Sequence, residues 1–215
     1  MSSIISSKEI YSTLESLFPD VKCGLNYHNL YELIVSVVLS AQTTDASVNK
    51  VTIDLFNKYP TIDNLAKANI DEVKAIISSI GLANNKAKNI INLAKELKNR
   101  FNGNVPSNLE DLESLPGVGH KTASVVLCEG YKIPAMPVDT HIFRIAKRLG
   151  LSNGKDVTEV EKDLKATFDK DCWCKLHLLL ITFGRNICSA KNPKCINCPF
   201  YNKCMNKQDW ISNKS

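Results

Sequence analysis

Leu115-Pro116-Gly117-Val118-Gly119-His120-Lys121-Thr122-Ala123 joins two prospective helices through a glycine turn and sets a lysine at the mouth of the second. Upstream, Ser107-Asn108-Leu109-Glu110 has the form of a capping box that opens a short helix, with Leu109, Leu112 and Leu115 on one apolar stripe. Pro116 and Gly117 stop that helix. Lacking Cβ atoms, Gly117 and Gly119 are expected to let the backbone turn with positive φ and approach a ligand closely, and the next helix, from His120 to about Glu129, begins at once. Its first N–H groups have no partners within the helix. With the positive end of the helix dipole they form a site for a phosphate oxygen, a contact that grips without reading sequence.

The unit resembles a helix-hairpin-helix element, a motif that also serves non-catalytic grips in which the lysine would only touch phosphate. A second segment argues for chemistry. After Ile133-Pro134-Ala135-Met136-Pro137, an extended link, Val138-Asp139-Thr140-His141-Ile142-Phe143-Arg144-Ile145-Ala146-Lys147-Arg148-Leu149-Gly150 reads as a helix with an acidic start, a basic end and a glycine stop. Asp139 can be a plain N-cap. It can also complement Lys121: a lysine in a helix's first turn, in a partly dry cleft, is pushed toward its neutral nucleophilic amine, whereas a carboxylate at another helix's start is favoured as the anion.

Cys188, Cys195, Cys198 and Cys204 follow the pattern C-x6-C-x2-C-x5-C in a segment with Pro193 and Pro199 and little periodicity. Something other than an apolar core must hold these thiols. No secretory signal precedes the chain, which argues against disulfides. Zinc normally takes two paired knuckles, and only one Cys-x-x-Cys is present; an iron–sulfur cluster accepts four thiolates from one compact loop. Spacing leaves zinc and cluster both open. Cys23, Cys128, Cys172 and Cys174 are assigned no chemistry, with Cys128 read as a small buried apolar residue among Val125, Val126 and Leu127.

Charge is concentrated near the same cysteines. From Arg185 to Ser215, six cations (Arg185, Lys191, Lys194, Lys203, Lys207 and Lys214) stand against Asp209 alone, a net +5 that equals the formal charge of the whole chain. Lys191 and Lys194 lie between Cys188 and Cys195, where ligation at both ends would stiffen the loop and present two ammonium groups to DNA phosphates. The plain alternative is a solvated charged face.

With 215 residues and 44% hydrophobic content the chain can bury one good core and a second small one. No apolar run reaches the ~20 residues that span a bilayer, and the Ser-rich start Met1 to Ser7 is too short for a transit peptide and lacks Arg, so a cytoplasmic, nucleoid-associated protein is expected. Helical spacing or helix signals run over Glu9–Phe18, Tyr31–Ala41, Ser47–Lys58, Ile70–Ile80, Asn85–Arg100, the hairpin pair, Thr140–Leu149, Thr158–Phe168 and Lys175–Ile187, punctuated by Gly81, Gly103 and Gly150. Leu33-Ile34-Val35-Ser36-Val37-Val38-Leu39 has strand-like composition, but its length with flanks and the lack of a partner strand favour a buried central helix.

Residues 115–123, the segment Val138-Asp139-Thr140-His141 and the C-terminal cysteines together are similar to the endonuclease III family of DNA glycosylases, a likeness that runs from about Tyr31 to Cys204. The resemblance implies Lys121 as nucleophile, Asp139 as its assistant, and a [4Fe-4S] cluster on Cys188, Cys195, Cys198 and Cys204. It also implies an all-α, two-lobed fold, with 22–132 a six-helix barrel and 1–21 packing with 133–215 in the cluster lobe, the site lying in the groove between. Gly117, Gly119 and His120 would meet DNA at the hairpin, and Gln42 and Leu82 resemble the family's residues that plug the duplex once a nucleotide is extruded. Both have plainer readings, Gln42 as a partner for backbone groups at a helix end and Leu82 as a core residue after a C-cap glycine. The implied activity is removal of oxidised pyrimidines from double-stranded DNA, followed by β-elimination at the abasic site through a lysine Schiff base, by a monomer. An adenine glycosylase of the same superfamily would need a glutamate where this chain has Val37, and a purely gripping module would keep its DNA function after Lys121→Ala.

Overall fold

The computed structural model describes residues 5–205; Met1 to Ile4 and the tail bearing Lys207, Asp209 and Lys214 lie outside the described residues. Among the described residues every regular element is helical. The chain divides into two compact units, Cys23–Ile133 and Met1–Lys22 with Pro134–Ser215.

Cys23–Ile133 contains α2 (Leu30–Leu39), α3 (Asp45–Lys58), α4 (Ile62–Ala66), α5 (Ile70–Ile76), α6 (Ala83–Phe101), α7 (Leu109–Glu113) and α8 (His120–Tyr131). The strand-like run is indeed a helix. Leu33, Ile34, Val35 and Leu39 are all fully buried in α2, which packs against α3, α6 and α8, so its apolar surround is its stabilising feature rather than local preference. Its start is fixed by a reciprocal cap: Asn29 Oδ1 accepts from Glu32 N (2.9 Å), and Glu32 Oε2 accepts from His28 N (2.8 Å). The Tyr31 hydroxyl, buried, donates to the Tyr59 carbonyl at 2.8 Å and ties α2 to the end of α3. Helix α4, too short to show a period in the sequence, is opened by Thr61 and buries Leu65 against α6.

The other unit contains α1 (Ser7–Leu17), α9 (Thr140–Arg148), α10 (Val157–Thr167) and α11 (Trp173–Asn186), with short 3-10 turns at Lys170–Cys172 and Cys195–Asn197. Ile10 and Leu14 of α1, Ile142 and Ile145 of α9, Leu164 of α10 and Leu179 and Phe183 of α11 build its core. Phe183 meets Phe200 edge-on at 5.5 Å, which anchors the chain beyond Cys198 to that core. Across the termini of this unit, Lys175 bonds Glu15 (2.7 Å) and Lys203 bonds Glu9 (2.6 Å).

Candidate active site and cysteine loop

The hairpin begins one residue later than the capping-box reading placed it. Asn108, not Ser107, is the cap: its Oδ1 accepts from Asp111 N (2.9 Å) and its Nδ2 donates to Asp111 Oδ2 (2.6 Å), so Asp111 takes the part expected of Glu110. The better Asx acceptor outcompetes the neighbouring serine. After α7, Val118 N donates to the Leu115 carbonyl (3.1 Å), closing a turn with Pro116 second and Gly117 third at φ +78°. A Cβ at Gly117 would stand 3.0 Å from Asn89 of α6 and 3.1 Å from Val38 of α2, so both its φ and its close packing require glycine.

Gly119 departs from the expectation of positive φ. It is extended (φ −92°), and a Cβ there would meet nothing within 4 Å. Its value is the open space beside the helix start. As N-cap it offers no side-chain acceptor, so the first-turn N–H groups of α8 face outward without a cap from that residue. Lys121, exposed, sits in this first turn. His120 is exposed too, and its Nδ1 lies 2.5 Å from Glu113 Oε1, strapping the start of α8 to the end of α7.

The two residues read as duplex plugs belong to this same unit, and both have left-handed backbones, Gln42 at φ 54° and Leu82 at φ 62°. Leu82 is 55% exposed, which removes the core reading. Gln42 is exposed in the loop between α2 and α3 and, among the described residues, makes no side-chain hydrogen bond to a helix end.

Asp139 belongs to the other unit and is the N-cap of α9: its Oδ1 accepts from Ile142 N at 2.9 Å. The plain reading is therefore true of one carboxylate oxygen. Two residues on, burial pushes the His141 imidazole below its ordinary value against the pull of Asp139, with Arg144 and Arg185 adding to the depression. Arg144 Nη2 approaches His141 Nδ1 at 3.2 Å, and since a guanidinium only donates, that nitrogen accepts.

At the far end of α9, two arginines hold the cysteine loop. Arg144 donates to the Cys188 carbonyl through Nε (3.1 Å) and Nη2 (2.9 Å), while Arg148, buried, donates to the Ser189 carbonyl (2.8 Å) and to Cys188 Sγ (3.3 Å). These arginines were not anticipated; their i, i+4 spacing on α9 was the available signal. Cys188, Cys195, Cys198 and Cys204 line one cavity with Arg148, Phe183 and Lys194, and each is partly buried. Burial pushes the Cys198 thiol up to about 11, and the sulfurs of Cys188, Cys204 and Cys195 add to that. Among the described residues, no three His, Cys, Asp or Glu side chains converge tightly enough to hold a single metal ion. Lys191 and Lys194 are exposed on the loop, whose Lys194 N bonds the Ile187 carbonyl at 2.9 Å.

The family model of the HhH-GPD superfamily base excision DNA repair protein matches residues 35–170. Endonuclease III of Bacillus subtilis (strain 168) is 43% identical over 209 residues, 95% of each chain, and endonuclease III of Rickettsia felis is 43% identical over 91% of this chain and 92% of its own. A solved structure of a trapped endonuclease III–DNA covalent intermediate, an estranged-adenine complex, superposes with a TM-score of 0.91 at 42% identity, covering 96% of this chain and 99% of that one. With the hairpin and the four-thiol loop, these relationships place the chain in the endonuclease III family of the helix-hairpin-helix base-excision superfamily.

Proposed function

We propose that this chain is a bifunctional DNA glycosylase of base excision repair that removes oxidised pyrimidines from duplex DNA and cleaves the abasic site it creates. The observation that carries the reading is Lys121: an exposed amine in the first turn of α8, directly after a glycine cap that leaves the helix mouth open. Phosphate held at the open mouth of that helix, with Gly117 keeping the turn in shape, delivers the sugar beside the amine. Closure of DNA over an exposed lysine supplies the drying that favours the neutral nucleophile.

Lys121 Nζ attacks C1′ of the extruded nucleotide; the N-glycosidic bond breaks and its electron pair leaves with the base. The carboxylate of Asp139 takes part in activating the amine and balances positive charge developing on the sugar. The nitrogen lone pair then forms the C1′=N iminium as the C1′–O4′ bond breaks, and O4′ takes up the proton that Nζ lost and becomes the C4′ hydroxyl. That iminium acidifies the C2′ proton, whose removal expels the 3′ phosphate, and water then hydrolyses the imine and restores Lys121. Gln42 and Leu82 fill the space left in the duplex, for which their exposure suits them.

Four thiols around one cavity suit a [4Fe-4S] cluster, which takes one thiolate per iron and asks its ligands to surround a space rather than meet at a point. When bound, the cluster supplies a rigid closure for the loop; Lys191 and Lys194 then contact DNA phosphates. On this reading 1–21 with 133–215 forms the cluster-bearing lobe and 22–132 the barrel, and the enzyme works as a cytoplasmic, nucleoid-associated monomer. Among the described residues no helix is long and apolar enough to cross a membrane.

The test is borohydride trapping on DNA carrying an oxidised pyrimidine. Wild type should give a covalent complex and Lys121→Ala none, with DNA affinity retained within a few-fold. Undiminished trapping or strand cleavage by Lys121→Ala would return the hairpin to a mere grip.

A further inference from the structure

The most unusual buried charge in the Cys23–Ile133 unit is one that the proposed chemistry does not use. Lys86 is only 4% exposed, on α6, in the stripe occupied by fully buried Ala87 and Ile90. An ammonium is retained in an apolar stripe only where something compensates its desolvation. Burial pushes this one below its ordinary value.

Its contacts run to the Leu82 turn and to the chain neighbour of Gln42. Lys86 N donates to the Leu82 carbonyl at 3.0 Å, the first bond of α6, which begins at the Leu82 turn. Lys86 Nζ donates to Thr43 Oγ1 at 2.6 Å, and Thr43 Oγ1 in turn reaches the Ala41 carbonyl at 3.4 Å. Ala41 and Thr43 are the two chain neighbours of Gln42. The relay Lys86–Thr43–Ala41 therefore brackets Gln42 on both sides, while Thr43 N bonds the Ser40 carbonyl (3.0 Å) and closes the turn. A non-glycine residue at φ 54° needs surroundings that over-determine it, and these bonds provide them.

We infer that Lys86 is a positioning residue that couples the Gln42 loop to the Leu82 turn, holding the two as one preset wedge for insertion into the duplex. It touches neither the sugar nor Lys121 in this role; it acts through Gln42. The inference rests on the reading of Gln42 and Leu82 as inserting residues.

The experiment uses Lys86→Met, an unbranched side chain one atom shorter that lacks the amine and suits the apolar stripe, and Thr43→Val, which removes the acceptor with little change in shape. Each is crossed with Gln42→Ala, and thermal unfolding confirms a folded protein. Single-turnover excision of a paired oxidised pyrimidine is compared with strand cleavage at a preformed abasic site in single-stranded DNA, which has no opposite strand to plug. The fluorescence of 2-aminopurine placed opposite the lesion reports insertion. Lys86→Met and Thr43→Val should each slow excision by about tenfold and lower the 2-aminopurine response, leave single-stranded cleavage within about twofold, and add nothing further to Gln42→Ala. Equal losses on both substrates, unchanged fluorescence, or effects that add to those of Gln42→Ala would overturn the coupling while leaving the wedge intact. A Gln42→Ala protein with wild-type excision and fluorescence would overturn both the wedge and the coupling.

Discussion

The two units present functional residues by opposite means. In Cys23–Ile133 a closely packed apolar core supports short loops with left-handed backbones: Gly117 at φ +78° sits against Asn89 of α6 and Val38 of α2, Gln42 at 54° lies in the turn closed by Thr43 N and the Ser40 carbonyl, and Leu82 at 62° opens α6. In the other unit the segment from Cys188 to Cys204 has almost no core of its own. Ile196 is 93% exposed, only Phe200 is buried, and two arginines on α9 hold the segment by its carbonyls. Backbone strain on a packed scaffold gives precise placement of a few atoms, which suits a nucleophile and a wedge. Polar capture of a loop gives a stiff charged surface, which suits contact with a phosphate backbone.

The largest effect that sharpens this contrast is expected at Asp139, where the cap and the proposed chemistry share one carboxylate. Asn caps a helix as well as Asp, so Asp139→Asn should leave thermal stability nearly unchanged and slow base release by about 10²-fold, with a smaller loss at a preformed abasic site. Unchanged base release would confine Asp139 to its cap, and equal loss on both substrates would count against its role in base release. Next, removing both loop cations with Lys191→Ala and Lys194→Ala should weaken DNA binding by about tenfold and reduce the slope of log K against log salt by about 1.8, without change in stability. An unchanged salt slope would make the loop a solvated face.

The two hairpin glycines separate strain from open space. Gly117→Ala should cost about 2–3 kcal/mol in denaturant unfolding, because it combines left-handed strain with contacts of 3.0–3.1 Å to Asn89 and Val38. Gly119→Ala should cost less than about 1 kcal/mol and instead weaken DNA binding, since its methyl would project where the phosphate approaches. Matching stability losses would contradict the division of labour. The smallest effect concerns Glu129, whose carboxyl burial pushes above its ordinary 4.5. A raised acid binds its proton more tightly when folded, so its cost is absent below the unfolded value, grows as pH rises through the window, and persists at neutral pH. Glu129→Gln should therefore raise Tm by about two degrees at pH 7 and leave it unchanged at pH 4.

Much of this was legible because the decisive signals are local. Pro116-Gly117 specifies a turn, Asp139 a cap and Gly150 a stop, and each behaves accordingly, Gly150 at φ +71°. What stayed hidden depends on partners distant in sequence. Gly119 has the same letter as Gly117 but an ordinary φ, because only the packing of α2 and α6 against the turn distinguishes them. The capping register slipped by one where Ser107 and Asn108 compete for the same helix start. Lys86 was readable in principle as a lone cation at a core position of a strongly amphipathic helix, yet its acceptor, Thr43, lies on another element. Arg144 and Arg148 likewise act on carbonyls some forty residues away.

The central claim is that one amine becomes covalently joined to deoxyribose. The most direct measurement is borohydride reduction of the wild-type protein on lesion-bearing DNA, followed by proteolysis and mass spectrometry of the nucleotide-bearing peptide. The account predicts the adduct on Lys121; an adduct on any other residue, or reduction that yields none while the strand is still cut, would contradict it.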